Sequence, residues 1–354
     1  MSSKQDKDIK RLRILPLMVV GIGLIIIAGA VIKMAKAYSG HHKIEPDKTT
    51  NINVMLTRNP DWKQLDLGGF SLSMDQFLQI DGSTATIPIT AELARQCCEA
   101  SDEDIDKYVF HNTTGPAYDN LIYSNGNKKP FYANGNEIRY EEKHIIFATE
   151  PSEQELEEAK EYGVELEVTP VALDGFVFIT HKDNPVDSLT VQQIKDIYSG
   201  KITNWKEVGG KDCEIIPYQR EANSGSQTAM EQLVMKDTPL MKPKEGYRIT
   251  KGMGELVEVV AEYENRESSL GYTYYYYLNN LYKNDNIKVL KIDGVSPDNE
   301  NLRDKSYPFN TAYYAVTVKG DDSETAKLKD FIVSEKGQQV VAMAGYCTVS
   351  ESGE

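Results

Sequence analysis

The segment from Glu214 to Met235 constrains the fold more than any other. An apolar, strand-like run, Glu214-Ile215-Ile216-Pro217-Tyr218, leads into Arg220-Glu221-Ala222-Asn223-Ser224-Gly225-Ser226-Gln227-Thr228. The residues that follow, Ala229 to Met235, carry apolar side chains at helical spacing. The pattern is a strand, a small Gly-containing loop and a helix start. A helix start presents unpaired backbone N–H groups and a partial positive charge, which suits an anion. Ser224, Ser226 and Arg220 cluster there, and a guanidinium fork matches a tetrahedral oxyanion. Ordinary N-capping accounts equally well for the hydroxyls taken alone.

The same arrangement occurs twice more. Gln79-Ile80-Asp81-Gly82-Ser83-Thr84-Ala85-Thr86-Ile87-Pro88 passes from a strand end through a glycine and a hydroxyl cluster into a helix over Ile89 to Cys98. Proline suits the first turn of such a helix. Val109-Phe110-His111-Asn112-Thr113-Thr114-Gly115-Pro116 precedes a helical run through Ile122. Three hydroxyl-rich helix starts plus an arginine point to convergence on one anion. Phe176 to Thr180 reads as a strand and Thr190 to Ser199 as a helix stopped by Gly200. Alternation of this kind predicts α/β layers. Ser124 to Arg139, rich in Asn and Gly, predicts a hairpin.

Charge and cysteine content exclude several classes. The 354 residues carry 54 acids against 39 bases, a net charge of −15. The first 37 residues hold seven bases and two acids, so the remainder has 32 against 52. Such a surface excludes nucleic acid as a partner and supplies no general attraction for an anion. Any anion site must therefore be local. Cys97 and Cys98 are adjacent, whereas Cys213 and Cys347 stand alone, and no C-x-x-C spacing occurs. Buried thiols are the expectation, with a Cys213–Cys347 bridge left open; neither metal nor cofactor is expected. His111 is the histidine beside a proposed loop.

Residues 1–13 hold Lys4, Lys7, Lys10, Arg11 and Arg13, ahead of the apolar run Ile14 to Ile32. As a helix, that run would be about 28 Å long, close to the thickness of a bilayer core. The basic flank predicts a cytoplasmic N-terminus and an exported body. Residues 14–37 read as a transmembrane signal anchor, although Ala35-Lys36-Ala37 also fits cleavage of a signal peptide. Residues 38–69 read as a polar linker or stalk.

The chain resembles the substrate-binding proteins of ABC phosphate importers in their Gram-positive version. The resemblance rests on Asp81-Gly82-Ser83-Thr84, Thr149-Glu150-Pro151-Ser152, Phe176-Val177-Phe178-Ile179, Leu189 to Trp205 (LTVQQIKDIYSGKITNW), Arg220 to Ser226, Leu270-Gly271-Tyr272 and Glu335-Lys336-Gly337-Gln338-Gln339. It implies a two-lobed, periplasmic-binding-protein-like fold of type II over residues 70–350, with two hinge crossovers. Lobe 1 would be 70–172 and 270–350, and lobe 2 173–269. Val168 to Phe178 would carry the chain out and Ser269 to Leu278 would return it as a strand. The tyrosines of that return are read as packing alternately on its two faces. No lipoprotein cysteine follows the apolar run.

By the same resemblance, Ser83, Thr84, Thr86, Thr113, Thr114, Arg220, Ser224, Gly225 and Ser226 contact inorganic phosphate. Ser226 stands where the family has Thr. Glu150, in place of the family's Asp, would accept the phosphate's own proton; a buried carboxylate there would disfavour sulfate, which has no proton to offer. The implied partner is an ABC permease docking a monomeric, closed, extracytoplasmic protein. An anchored phosphate sensor or scavenger is the alternative. A phosphatase using Ser224 or Ser226 is remote, because no base is placed beside either serine, and the chain is read as a binding protein rather than an enzyme.

Overall fold

The computed structural model describes residues 58–126, 131–133, 136–138, 140–243, 249–250, 252–262 and 267–350. The anchor expected at 14–37 lies outside these residues. Among the described residues, no helix is long and apolar enough to cross a membrane.

Strands and helices alternate. β1 (Ile80–Gly82) leads to α1 (Ile87–Cys97) and α2 (Thr114–Asn125); β2 (Ile145–Ala148) leads to α3 (Glu153–Tyr162). β3 (Leu166–His181) is followed by α4 (Val191–Tyr198), β4 (Ile216–Pro217), α5 (Gly225–Ala229) and α6 (Met253–Ala261). The chain continues through β5 (Ser269–Tyr274), β6 (Ile287–Val289), β7 (Asn310–Val318), α7 (Glu335–Met343) and β8 (Cys347–Thr348). The strands form one eight-stranded sheet in the order β1-β2-β7-β3-β5-β4, with β6 and β8 also on β3. This is the mixed α/β architecture expected. Phe131–Ala133 and Asn136–Ile138 form the expected antiparallel hairpin.

β3 organises the sheet. Its 16 residues exceed a usual strand, and it changes partners midway. Residues 166–175 pair antiparallel with β7, ending at Gly175 opposite Asn310. Phe176 then faces Tyr274 of β5, and Ile179 to His181 face β6. Phe176, Phe178, Tyr198, Tyr272 and Tyr274 pack their rings together over this second half. Each large apolar side chain buried this way contributes about 2 kcal/mol. β2 is buried at every position, Ile145 to Ala148, which explains its unbroken apolar sequence.

Three expectations are corrected. The strand expected over Ser269 to Leu278 stops at Tyr274, and the tyrosine run turns helical from Tyr275. Asp174 captures the Tyr276 N–H (3.0 Å), and the Tyr276 ring stacks on Tyr346 at 3.6 Å, so the next residues leave the sheet. Nor does the chain return to the first group of strands at Ser269: β6 still pairs with β3 beyond Ile179, and Lys291–Ile292 pairs with Ser188–Leu189. The passage back lies between Ile292 and β7.

The stalk expected over 38–69 is docked from Arg58 onward. Trp62 Nε1 donates to Glu92 Oε1 (2.8 Å), Gln96 exchanges bonds with Lys63 O and the Leu65 N–H (2.9 Å each), and Asn59 donates to Met343 O (2.9 Å). A polar sequence concealed this because its anchors, the Trp62 indole, the Asn59 amide and the backbone at Lys63 and Leu65, find their partners on α1 and at the end of α7, far along the chain. The four cysteines are free, and the bridge left open between Cys213 and Cys347 is not formed.

Candidate functional site

β1 ends at Gly82, and a Cβ there would lie 2.2 Å from Phe147 O and 2.9 Å from both His111 Cε1 and Thr86 Oγ1, so only glycine fits. The chain then makes a 3-10 turn, Thr84–Thr86, before α1. The Ser83 N–H donates to Phe147 O (2.8 Å), which fastens the turn to β2. The Ser83 side chain caps neither the turn nor α1. Thr86 is fully buried and donates its hydroxyl to Phe147 O (2.7 Å). That hydrogen is committed to the framework, so Thr86 is the weakest donor of the expected set.

The second start is α2. Its N-cap, Thr113, has φ 74° and ψ 168°, and its side chain makes no cap bond. A β-branched residue at positive φ is an outlier of the kind that clusters at functional sites. The third start is α5, which runs on into a wider helical turn, Met230–Met235. Here Ser224 does cap, accepting from the Gln227 N–H (3.3 Å). Ser226 is buried at 2% exposure, and its hydroxyl has no hydrogen-bond partner among the described residues. Capping therefore explains Ser224 and leaves Ser226 unexplained.

The three starts meet. Asp81 Oδ1 accepts from the Asn112 N–H (2.9 Å), tying the first loop to the second. A Cβ on Gly225 would lie 2.4 Å from Thr149 Oγ1 and 3.1 Å from Thr114 Oγ1, so the third start seats against the second and against the end of β2. Asn223 Nδ2 donates to Gln154 Oε1 (2.8 Å) and Gln232 Nε2 to Pro151 O (3.3 Å) beside that contact.

Strand β5 carries the supports of the third loop. Tyr274 OH donates to Gly225 O (3.0 Å). The Arg220 N–H donates to Tyr272 OH (2.9 Å), and Tyr272 donates onward to Gln227 Oε1. Arg220 is buried at 8% exposure, with Nε donating to Thr250 O (3.3 Å). Burial pushes the Tyr272 phenol upward while the nearby Arg220 opposes it, so the ring remains a neutral donor.

Thr84 is half-buried on the 3-10 turn, and Thr113, Thr114 and Ser83 lie on the adjoining starts. Glu150 differs from expectation: it is exposed. Thr149 before it is buried at the bend that ends β2, and Glu150 follows beyond the strand with its side chain exposed. His111 is framework: Nδ1 lies 2.7 Å from Ser83 O and Nε2 3.0 Å from Thr90 Oγ1. Burial lowers its pKa and keeps the ring neutral. Two residues were given no role in the site from the sequence. Thr149 gave no signal beyond its place before Glu150, and Asp81 was readable only as a strand-end acid. Among the described residues, no group of three or more His, Cys, Asp or Glu could hold a metal ion.

Residues 142–336 match the model of the PBP superfamily domain. The phosphate-binding protein PstS of Borreliella burgdorferi is 24% identical over 275 residues, spanning 73% of this chain and 95% of the relative. PstS of Bacillus subtilis is 31% identical over 183 residues, 51% of this chain and 57% of the relative. Among solved structures, a phosphate ABC transporter substrate-binding protein of Clostridium perfringens with bound phosphate is 32% identical. It covers 77% of this chain and 98% of its own, with a TM-score of 0.56. An ABC-type phosphate transport receptor of Vibrio cholerae, 21% identical, covers 76% of this chain and 98% of its own and shares the fold at a TM-score of 0.53.

Proposed function

Because the chain belongs to the PBP superfamily and, within it, to the Pst-type phosphate-binding proteins, we propose that it captures inorganic phosphate outside the cytoplasm and delivers it to an ABC-type importer. It acts as a binding protein, not an enzyme. The observation that carries the reading for this chain's own residues is Ser226, a buried hydroxyl with no partner among the described residues, at a helix start beside the buried Arg220. A buried polar atom without a partner is costly, and an oxyanion would satisfy it.

In this reading Arg220, Ser226, Gly225 and Ser224 bind from one side, and Ser83, Thr84, Thr113 and Thr114 from the other. Arg220 supplies charge; the helix starts supply N–H groups. Hydroxyls both donate and accept, so a protonated phosphate is accommodated without a buried carboxylate. Several charge-assisted bonds, less the ordering costs, reach micromolar affinity, which needs about 8 kcal/mol.

The two sides belong to two lobes. The change of partners along β3 supports one crossover near Gly175. The pairing of β6 and of Lys291–Ile292 supports a second after Ile292. Phosphate binding draws the lobes together, and the contacts of Gly225, Asn223 and Gln232 with Thr149, Gln154 and Pro151 belong to the closed arrangement. Residues 14–37 anchor the protein in the membrane, which fractionation of cells would check. Calorimetry with phosphate at pH 7 and sulfate as control tests the ligand. Micromolar heat from phosphate alone is expected; silence overturns the reading.

A further inference from the structure

A fully buried acid stands at the base of the proposed phosphate loops without belonging to the ligand set. Asp81, in the middle of β1, is completely buried. Its Oδ1 accepts from the Gly82 N–H (2.7 Å) and the Asn112 N–H (2.9 Å). Its Oδ2 accepts from Asn112 Nδ2 (2.8 Å) and Asn120 Nδ2 (3.3 Å). All four donors are amide N–H groups, and they come from three places: β1 itself, the second loop and the body of α2. Burying a carboxylate is expensive unless donors saturate it. An apolar residue would pack in β1 at less cost, so the acid's position needs an explanation beyond packing.

The explanation lies one residue beyond its main partner. Thr113 follows Asn112 and carries the positive φ of 74°. Such a conformation persists only where the surroundings over-determine it. Here two cross-ties do so: His111 is fixed on Ser83 O, and Asn112 is gripped by Asp81 through both its backbone and its side chain. Asn120, one turn and a half into α2, fixes the helix to the same carboxylate.

We infer that Asp81 is a positioning residue that clamps the second anion loop to the first and holds Thr113 in its positive-φ conformation, aiming the first amides of α2 at the ligand. The inference rests on the proposed phosphate-binding reading for the identity of that ligand. The clamp preorganises donors, so its loss leaves the loop to be ordered at the moment of binding.

The test uses the full chain, with Asp81→Asn and the reciprocal exchange Asp81→Asn/Asn112→Asp. In Asp81→Asn the new amide faces the Asn112 amide, donor against donor. Phosphate affinity is expected to fall about tenfold, mainly through slower association. Without phosphate, amide hydrogen exchange at residues 112–115 is expected to quicken. The reciprocal exchange sets an acceptor opposite a donor again at position 112, leaving only the Asn120 bond unmade, and is expected to recover most of both quantities, which a loss of general stability would not explain. Wild-type affinity and exchange in Asp81→Asn would overturn the clamp while leaving the function intact. If the unaltered chain binds no phosphate, the function fails and the exchange arm alone decides the clamp. If Asp81→Asn does not fold, Asn112→Ala, which keeps the backbone donor and deletes the side-chain one, carries the same test.

Discussion

The first two helix starts and the third are alike in sequence and differently built. The first two are locked to each other by polar side chains, Asp81 on Asn112 and His111 on Ser83 O, and Thr86 fastens the first to β2 through Phe147 O. The third is held from beneath by tyrosine hydroxyls of β5, Tyr272 on the Arg220 N–H and Tyr274 on Gly225 O. One side is a rigid set of N–H and hydroxyl donors with no cation in the proposed contact set. The other brings the guanidinium and a buried hydroxyl. A charge on one side and preorganised dipoles on the other divide the task, so each side alone holds an anion weakly and both together hold it well.

The largest effect that would sharpen this contrast is on the charged side. Arg220→Ala is expected to weaken phosphate binding about thirtyfold, from the loss of a charge-assisted bond; calorimetry showing unchanged affinity would break the comparison. Next come the two serines of the third loop. Ser226→Ala is expected to cost about tenfold in affinity with little change in melting temperature, because its hydroxyl stabilises nothing in the protein itself. Ser224→Ala is expected to lower stability as well, by about 1 kcal/mol with the cap, and to cost less affinity than Ser226→Ala. Equal effects on both readouts would return Ser226 to an ordinary structural role.

A smaller effect comes from acids outside the loops. Burial pushes the carboxyls of Asp174 and Asp119 up to about 7 and that of Glu155 up to about 8. Unfolded carboxyls titrate near 4, so above about pH 4 the folded chain retains protons that the unfolded chain has released. Stability should therefore be greatest at the acid end of this window and fall as pH rises through 7 to 8. Asp174→Asn should flatten the fall in urea melts at pH 5 and pH 8; an unaltered slope would remove Asp174 from the account. The smallest effect belongs to Glu150→Gln, expected to change phosphate affinity less than about twofold, because the carboxylate is exposed and screened. A loss of phosphate-over-sulfate preference in that variant would mean that Glu150 turns inward when the anion binds.

Residues at element boundaries were the most legible. Gly82, Thr113-Thr114, Thr190 and Ser224-Gly225 stand at the starts read from the sequence, because a glycine or hydroxyl at a helix end answers a local demand of the backbone. The return strand was misread because Tyr275 to Leu278 has strand propensity, and only Asp174, about a hundred residues away in the chain, takes the Tyr276 N–H out of the sheet. The polar stretch from Arg58 read as a stalk because its anchors on Glu92, Gln96 and Met343 are distant in sequence.

By itself the sequence determined the alternation of strands and helices, the three hydroxyl-rich starts and the arginine beside the last of them. These are local properties, set by side-chain period and backbone donors within a few residues. Which hydroxyl is used up in capping, which is buried without a partner, and whether an acid faces inward were decided only by the tertiary structure. Ser224 and Ser226 are two residues apart with the same side chain, and Thr149 and Glu150 are adjacent. Their burial and partners differ because packing against β5 and the end of β2, contributed by segments far along the chain, determines which hydrogen bonds each one can reach.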